Sequence, residues 1–176
     1  MTQAASKASP QGSPLWQFSL DFYRTPGLAE ACIRLQDEAG IDVNLLLFLF
    51  WNASLKRQLS AAEIAAIDGH VAAWRRNAVV PLRGIRRALK GAAGPLPAGD
   101  AELFRTKVKG LELEAERLQQ QALYEFSRSA PLGAVAQTAQ EAARGSIAAY
   151  QVFAGRRFPD TAVDAVLGAF EKYQQH

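Results

Sequence analysis

Cysteine, histidine and methionine are nearly missing from this chain: its 176 residues hold one Cys, one Met and two His. With Cys32 alone, no intrachain disulfide can form. Its neighbours Ala31, Ile33 and Leu35 mark it as a small apolar filler rather than a reactive thiol. His70 and His176 stand in neither a His-x-x-x-His nor a Glu-x-x-His pattern, which argues against a di-iron bundle or a zinc hydrolase. No spacing ties Cys32 to His70 as a nucleophile pair. No glycine-rich phosphate loop is present. No catalytic, metal or cofactor motif emerges, and no cofactor is expected.

Long apolar runs are also missing. The longest, Leu45 to Trp51, falls far below the roughly 20 residues that cross a bilayer. The first 13 residues lack an apolar h-region and read as a disordered polar tail, not a secretory signal. By elimination, a cytoplasmic protein without a membrane span is expected. The final absence is local. From Gly69 to Gly99 there is no Asp or Glu, yet Arg75, Arg76, Arg83, Arg86, Arg87 and Lys90 all fall there.

What is present is helical. The chain is 49% hydrophobic and 21% charged, a globular composition, and its length suits one domain. Ser13-Pro14 reads as an N-cap followed by proline at the first helical position, and Thr25-Pro26 repeats that signal. Gly40 suits a helix stop, and Asp42 suits the cap of a helix from about Val43 to Lys56. Around Leu45 that helix is apolar on every side, which makes it the central buried element. Ser60 with Glu63 forms a capping box. Pro81 is expected to break or kink the helix that follows. The Gly91–Gly99 segment reads as a flexible loop. In the long helix from about Ala101 to Phe126, Phe104, Val108, Leu111, Ala115, Leu118 and Ala122 are spaced 4, 3, 4, 3, 4, a heptad seam for bundle packing or dimerisation. No strand is expected. The predicted fold is all-α: one domain over 14–174, a bundle of seven to eight helices around the buried Leu45–Trp51 helix.

Three patterns bear on function. Arg83, Arg86, Arg87 and Lys90 fall at i, i+3, i+4 and i+7, one helix face, with Leu82, Ile85 and Leu89 on another. This predicts a positive stripe on an otherwise buried helix, and with Arg75 and Arg76 it forms the candidate interaction face. The partner class it suggests is a protein with an acidic surface, with nucleic acid as a weaker form of the idea, since no nucleic-acid module appears. The alternative is a small-molecule site or enzyme pocket among the helices, with Asn44, Asn52 and Glu114 as the candidate interior polar site. Two acidic pairs, Glu112 with Glu116 and Asp160 with Asp164, are read first as helix-surface and helix-start residues, and a carboxylate metal site is the sharper alternative. Trp74 beside two arginines is read as a core anchor, with base stacking as the alternative.

A resemblance follows from the blocks Trp16-x-Phe18-Ser19-Leu20-x-x-Tyr23, Pro26-Gly27-x-Ala29-Glu30-Ala31-Cys32, Leu35-Gln36-Asp37 and Asp42-Val43-Asn44-Leu45-Leu46-Leu47-Phe48-x-x-Trp51. Trp74-Arg75, Val79-Val80-x-Leu82-Arg83 and Arg86-Arg87-x-Leu89-Lys90 extend it. Together these blocks resemble an uncharacterised family of small proteobacterial proteins, a conserved domain of unknown function, over roughly 14–125. The resemblance implies a bacterial cytoplasmic protein. It brings no activity, cofactor or catalytic residue.

Overall fold

The computed structural model describes residues 12–91, 97–129 and 131–175. Most of the expected disordered tail (1–13) and part of the expected loop (91–99) lie outside the described residues. Eight α-helical segments follow in order: α1 (Pro14–Phe22), α2 (Leu28–Ala39), α3 (Val43–Ser54), α4 (Ala61–Trp74), α5 (Val80–Ala88), α6 (Ala98–Ser129), α7 (Ala139–Ala154) and α8 (Asp160–Tyr173). The all-α, single-bundle expectation holds. No helix among the described residues is long and apolar enough to cross a membrane.

Local chemistry sets the helix starts. Ser13 Oγ accepts from Trp16 N–H, and Asp42 Oδ1 accepts from Asn44 N–H. Ser60 and Glu63 form the capping box. Gly40 and Gly155 close α2 and α7 in the left-handed region, where a side chain would be strained. The second helix begins at Leu28, later than Thr25-Pro26 suggests, because Gly27 takes a left-handed conformation and caps it.

Two elements depart from expectation. Pro81 does not break the chain direction. A π-helical turn at Arg75–Val79 links α4 to α5, so the two run as one rod. Proline lacks an N–H and crowds the carbonyl four residues before it, and a widened turn just upstream accommodates both defects. Val80 remains in the right-handed helical region despite preceding proline. The second departure is a two-residue antiparallel pair, β1 (Arg57–Gln58) with β2 (Ala134–Val135), where no strand was expected. Gly133 makes this pairing possible: at φ 73 it lies so close to Gln58 that an added Cβ would stand 2.9 Å from the Gln58 carbonyl oxygen. Glu63 pins the same corner, accepting from Ser60 N–H with one oxygen and from Gly133 N–H with the other, both at 2.8 Å.

The core forms around α3. Leu45, Leu46, Leu47, Phe48, Leu49 and Phe50 are all buried, so α3 needs neighbours on every side. It contacts α1, α2, α6 and α7. Phe22, Phe50 and Phe170 form a mutually touching aromatic group from α1, α3 and α8. Cys32 is buried, and burial pushes its thiol up to about 12, which suits the filler role. Trp74 is half exposed, not a core anchor, and its indole N–H donates to the Ala115 carbonyl at 2.9 Å.

Phe48 is 0% exposed at the centre of this packing. Phe48→Asp is therefore expected to abolish cooperative folding, because it strands an unpaired charge in the core at a cost of several kcal/mol or more. Chemical denaturation followed by circular dichroism checks this, and an unchanged midpoint would place α3 at the surface.

Candidate functional site

The arginine stripe does not face solvent as a unit. Arg83 Nε donates to Glu112 Oε1 at 3.1 Å, and its Nη2 donates to Glu116 Oε1 at 2.6 Å. Arg86 donates to both oxygens of Glu112. Arg87 reaches Asp37 on α2 at 3.0 Å. Arg75 lies apart from these, donating to Asp42 Oδ2 at 3.1 Å and to both oxygens of Asp68. Of the six candidate cations, Arg76 and Lys90 alone make no ion pair among the described residues.

The cause is the orientation of α5. The expected apolar contact face is not buried: α5 has no buried residue, and Ile85 is 47% exposed. The helix turns Arg83 and Arg86 toward α6 instead, because Glu112 and Glu116 lie there one turn apart. The stripe expected to meet a partner is thus largely satisfied by the chain's own carboxylates. Those two residues are occupied as well, and both Glu112 oxygens accept from arginine.

The interior polar candidates also separate. Asn44 is buried, and its Oδ1 accepts from Gln120 Nε2–H at 2.9 Å. Asn52 is buried and donates to the Phe48 carbonyl at 2.8 Å, the local backbone role its position allows. Glu114 is not interior. Its side chain is 52% exposed and pairs with Arg117 one turn on. Asp160, the first residue of α8, pairs with Arg157 at the surface.

Between α1, α2, α3, α5 and α6 lies an open groove of about 560 Å³. That volume falls in the range of small-molecule sites. Trp16 and Leu20 of α1, Tyr23 just after it, Ile33 of α2 and Leu47 of α3 form its apolar wall. The Arg83, Arg86, Glu112 and Glu116 cluster forms the opposite wall, with Arg87 and Lys109 beside it and Asn44 and Gln120 also lining the space. Three buried side-chain oxygens lack a partner among the described residues: Ser19 Oγ, Gln119 Oε1 and Gln120 Oε1, on residues 3%, 0% and 1% exposed. Buried polar groups are nearly always paired, and two of the three belong to residues that line the groove, behind its surface. Sequence reading missed both. Ser19 sits inside an aromatic stripe, and Gln120 sits in a run of three glutamines that looks like solvent-facing helix.

The two glutamates are tuned in opposite directions. Burial pushes the Glu112 carboxyl up, but the hydrogen bonds and charges of Arg86 and Arg83 outweigh it and hold it below the usual carboxylate range. At Glu116 burial wins over Arg83 alone, and the carboxyl is raised. Burial, with Cys32 and Glu116 nearby, likewise pushes the Tyr23 phenol up to about 12. Of the four cations lining the groove, Arg83 and Arg86 pair with its two carboxylates, Arg87 pairs with Asp37 outside it, and Lys109 makes no ion pair among the described residues.

A second, smaller space of about 430 Å³ adjoins the first, sharing Gln36 and Arg83. Asp42, Asp68, Arg75 and Tyr150 line it. Both carboxylate oxygens of Asp42 are engaged: Oδ1 caps α3, Oδ2 accepts from Arg75 and Gln119, and the Asp42 N–H donates to Tyr150 Oη at 3.0 Å. This network ties the start of α3 to the π-helical turn, α6 and α7.

The double change Arg83→Gln with Arg86→Gln is expected to destabilise the fold by about 3–5 kcal/mol, because Glu112 is left buried without its cations. Arg76→Gln with Lys90→Gln should stay within roughly 0.5 kcal/mol. The sign with pH is fixed. Glu112 is depressed in the native chain, so its contribution is present above the ordinary carboxylate range and is lost as pH falls. In the double variant burial alone acts on Glu112 and raises it, so the stability gap should narrow in acid. Urea midpoints of the three proteins at neutral and acid pH measure this.

No curated protein and no solved structure matches the chain. One family model does, over residues 14–123, a span that contains every residue lining the groove. The chain belongs to the family described as Protein of unknown function (DUF2390).

Proposed function

We propose that this chain is a small-ligand-binding helical protein, and that the groove between α1, α2, α3, α5 and α6 takes an acidic amphipathic molecule. The observation that carries this is a space large enough for a ligand, lined by two residues, Ser19 and Gln120, whose side-chain oxygens are buried behind its surface without a partner. Leaving such groups unpaired costs about 1–3 kcal/mol each, a cost a bound polar group removes. The apolar wall of Trp16, Leu20, Ile33 and Leu47 suits an aliphatic or aromatic body. Arg83, Arg86 and Arg87 are held by Glu112, Glu116 and Asp37, so Lys109, the lining cation without an ion pair among the described residues, favours a carboxylate head.

A second reading keeps the basic face as the contact of an adaptor for an acidic protein. It draws on Arg76 and Lys90, which are exposed and unpaired among the described residues, and on the half-exposed Arg87. It is the weaker reading because Arg75, Arg83 and Arg86 are already engaged within the chain.

Octanoate and phenylbutyrate, each against its neutral amide, are the probes. The acids should raise the melting temperature saturably, by linkage of binding to folding, and the amides should raise it less. Lys109→Glu, at the groove mouth, should remove most of the difference. Ser19→Ala should leave the unliganded protein unchanged or about 1 kcal/mol more stable, since it deletes an orphan hydroxyl, yet weaken binding of the acids. Equal shifts by acid and amide, or none, would sink the proposal. Calorimetric titration with an acidic peptide tests the adaptor reading separately.

A further inference from the structure

The predicted heptad seam of α6 is split by the fold. Val108 and Ala115 are buried, and Ala122 packs at the core margin. Phe104, Leu111 and Leu118 are 56%, 59% and 39% exposed, and Leu103 beside them is 65% exposed. Phe104, Leu111 and Leu118 recur every seven residues, so they form one line along the helix. Lys107 and Glu114, both exposed, fall within the same face. This line lies away from the side of α6 that carries Glu112, Glu116 and Gln120 into the groove.

We propose that this line is the contact surface of an antiparallel homodimer, α6 against α6 of a second copy, centred between Gly110 and Leu111. Charge selects the occupant and its direction. A parallel pairing sets Lys107 against Lys107 and Glu114 against Glu114. The antiparallel pairing sets Lys107 of each copy opposite Glu114 of the other, and does so twice. Lys107 makes no ion pair within the described chain, and it joins Arg117 of the other copy's own helix in facing Glu114. The same register puts Leu118 opposite Leu103 and lays Phe104 on the alkyl stem of Arg117. At the centre, Leu111 meets Gly110, where an added Cβ would find nothing within 4 Å, so the backbones can approach closely. The seam from residue 103 to residue 118 is about 22 Å long at 1.5 Å per residue. Such a short seam makes a dimer that dissociates on dilution.

Sedimentation velocity of the full chain over a range of concentrations tests this. A reversible monomer–dimer equilibrium is expected. Leu111→Glu should give monomer at every concentration with unchanged helicity and melting, because Leu111 is exposed. Lys107→Glu should weaken the dimer, and Lys107→Glu combined with Glu114→Lys should restore it, since the swap recreates the opposed pair. A mixture of Leu103→Cys and Leu118→Cys proteins should form mixed disulfide dimers faster than either forms its own, and the buried Cys32 does not interfere. A monomer at all concentrations, a dimer indifferent to Leu111→Glu, no rescue by the swap, or faster self-linking of Leu118→Cys would each overturn the proposal. None of these outcomes depends on whether the groove binds a ligand.

Discussion

A helix that is apolar on every side cannot lie on a surface, and α3 imposes that constraint on the whole molecule. It requires neighbours all round, and α1, α2, α6 and α7 supply them. Its own polar residues then lie in the interior and need partners there. Asn52 finds one in its own helix. Asn44 does not, and Asp42 does so with one oxygen only, so each draws a glutamine from α6: Gln119 to Asp42 Oδ2 and Gln120 to Asn44. The polar character of the inner side of α6 is thus a consequence of the start of α3. A buried carboxylate is costly unless paired, and Asp42 is held by Arg75 from the π-helical turn, which ties the position of the α4–α5 rod to the same point.

That rod in turn explains the groove. Because the chain passes Pro81 without breaking, α5 continues alongside α6 rather than folding away from it. Its arginines then meet Glu112 and Glu116. An ionic wall keeps the helices apart in a way an apolar wall would not: guanidinium and carboxylate groups need room and some water, whereas leucines would close the gap. The space that remains, between this wall and the aromatic face of α1, is the groove. The orphan atoms of Ser19 and Gln120 lie where apolar closure would otherwise have been expected.

Much of this was legible in the sequence, and what was not shares one physical cause. Caps are local chemistry, so Ser13, Asp42, Gly40 and the Ser60–Glu63 box could be read directly. The buried α3 helix could be read because seven consecutive apolar residues leave no face for water. The arginine stripe was also real, at the spacing i, i+3, i+4, i+7. Spacing says which residues share a face but not what that face meets. Arg83 and Arg86 find Glu112 roughly 30 positions later, and no local pattern encodes that partner. Glu114 was misplaced for the related reason that three glutamates at alternate positions cannot all face one way on a helix. Glu112 and Glu116 turn inward together, and Glu114 turns out. The β1–β2 pair was invisible because two residues make no periodicity, and its support comes from Gly133 and Glu63, far apart in the chain.

Helix α6 presents several distinct faces without conflict. At 100° per residue, neighbours in sequence point in widely different directions. Val108, Ala115 and Leu123 face the core. Glu112, Glu116 and Gln120 face the groove. Phe104, Leu111 and Leu118 face outward. A heptad count alone merged the first and last of these sets into one seam, because residues three and four apart lie about 60° and 40° to either side of a line. The fold resolves them by letting the core take the half nearest α3 and α4. The outward half keeps its apolar residues, which stay exposed among the described residues. Solvent-exposed helix faces ordinarily carry charge, and this one instead carries a line of large apolar side chains interrupted by one lysine and one glutamate. On the proposal of a second copy, that arrangement answers to a constraint outside the single chain, while the groove on the other side of the same helix answers to one within it.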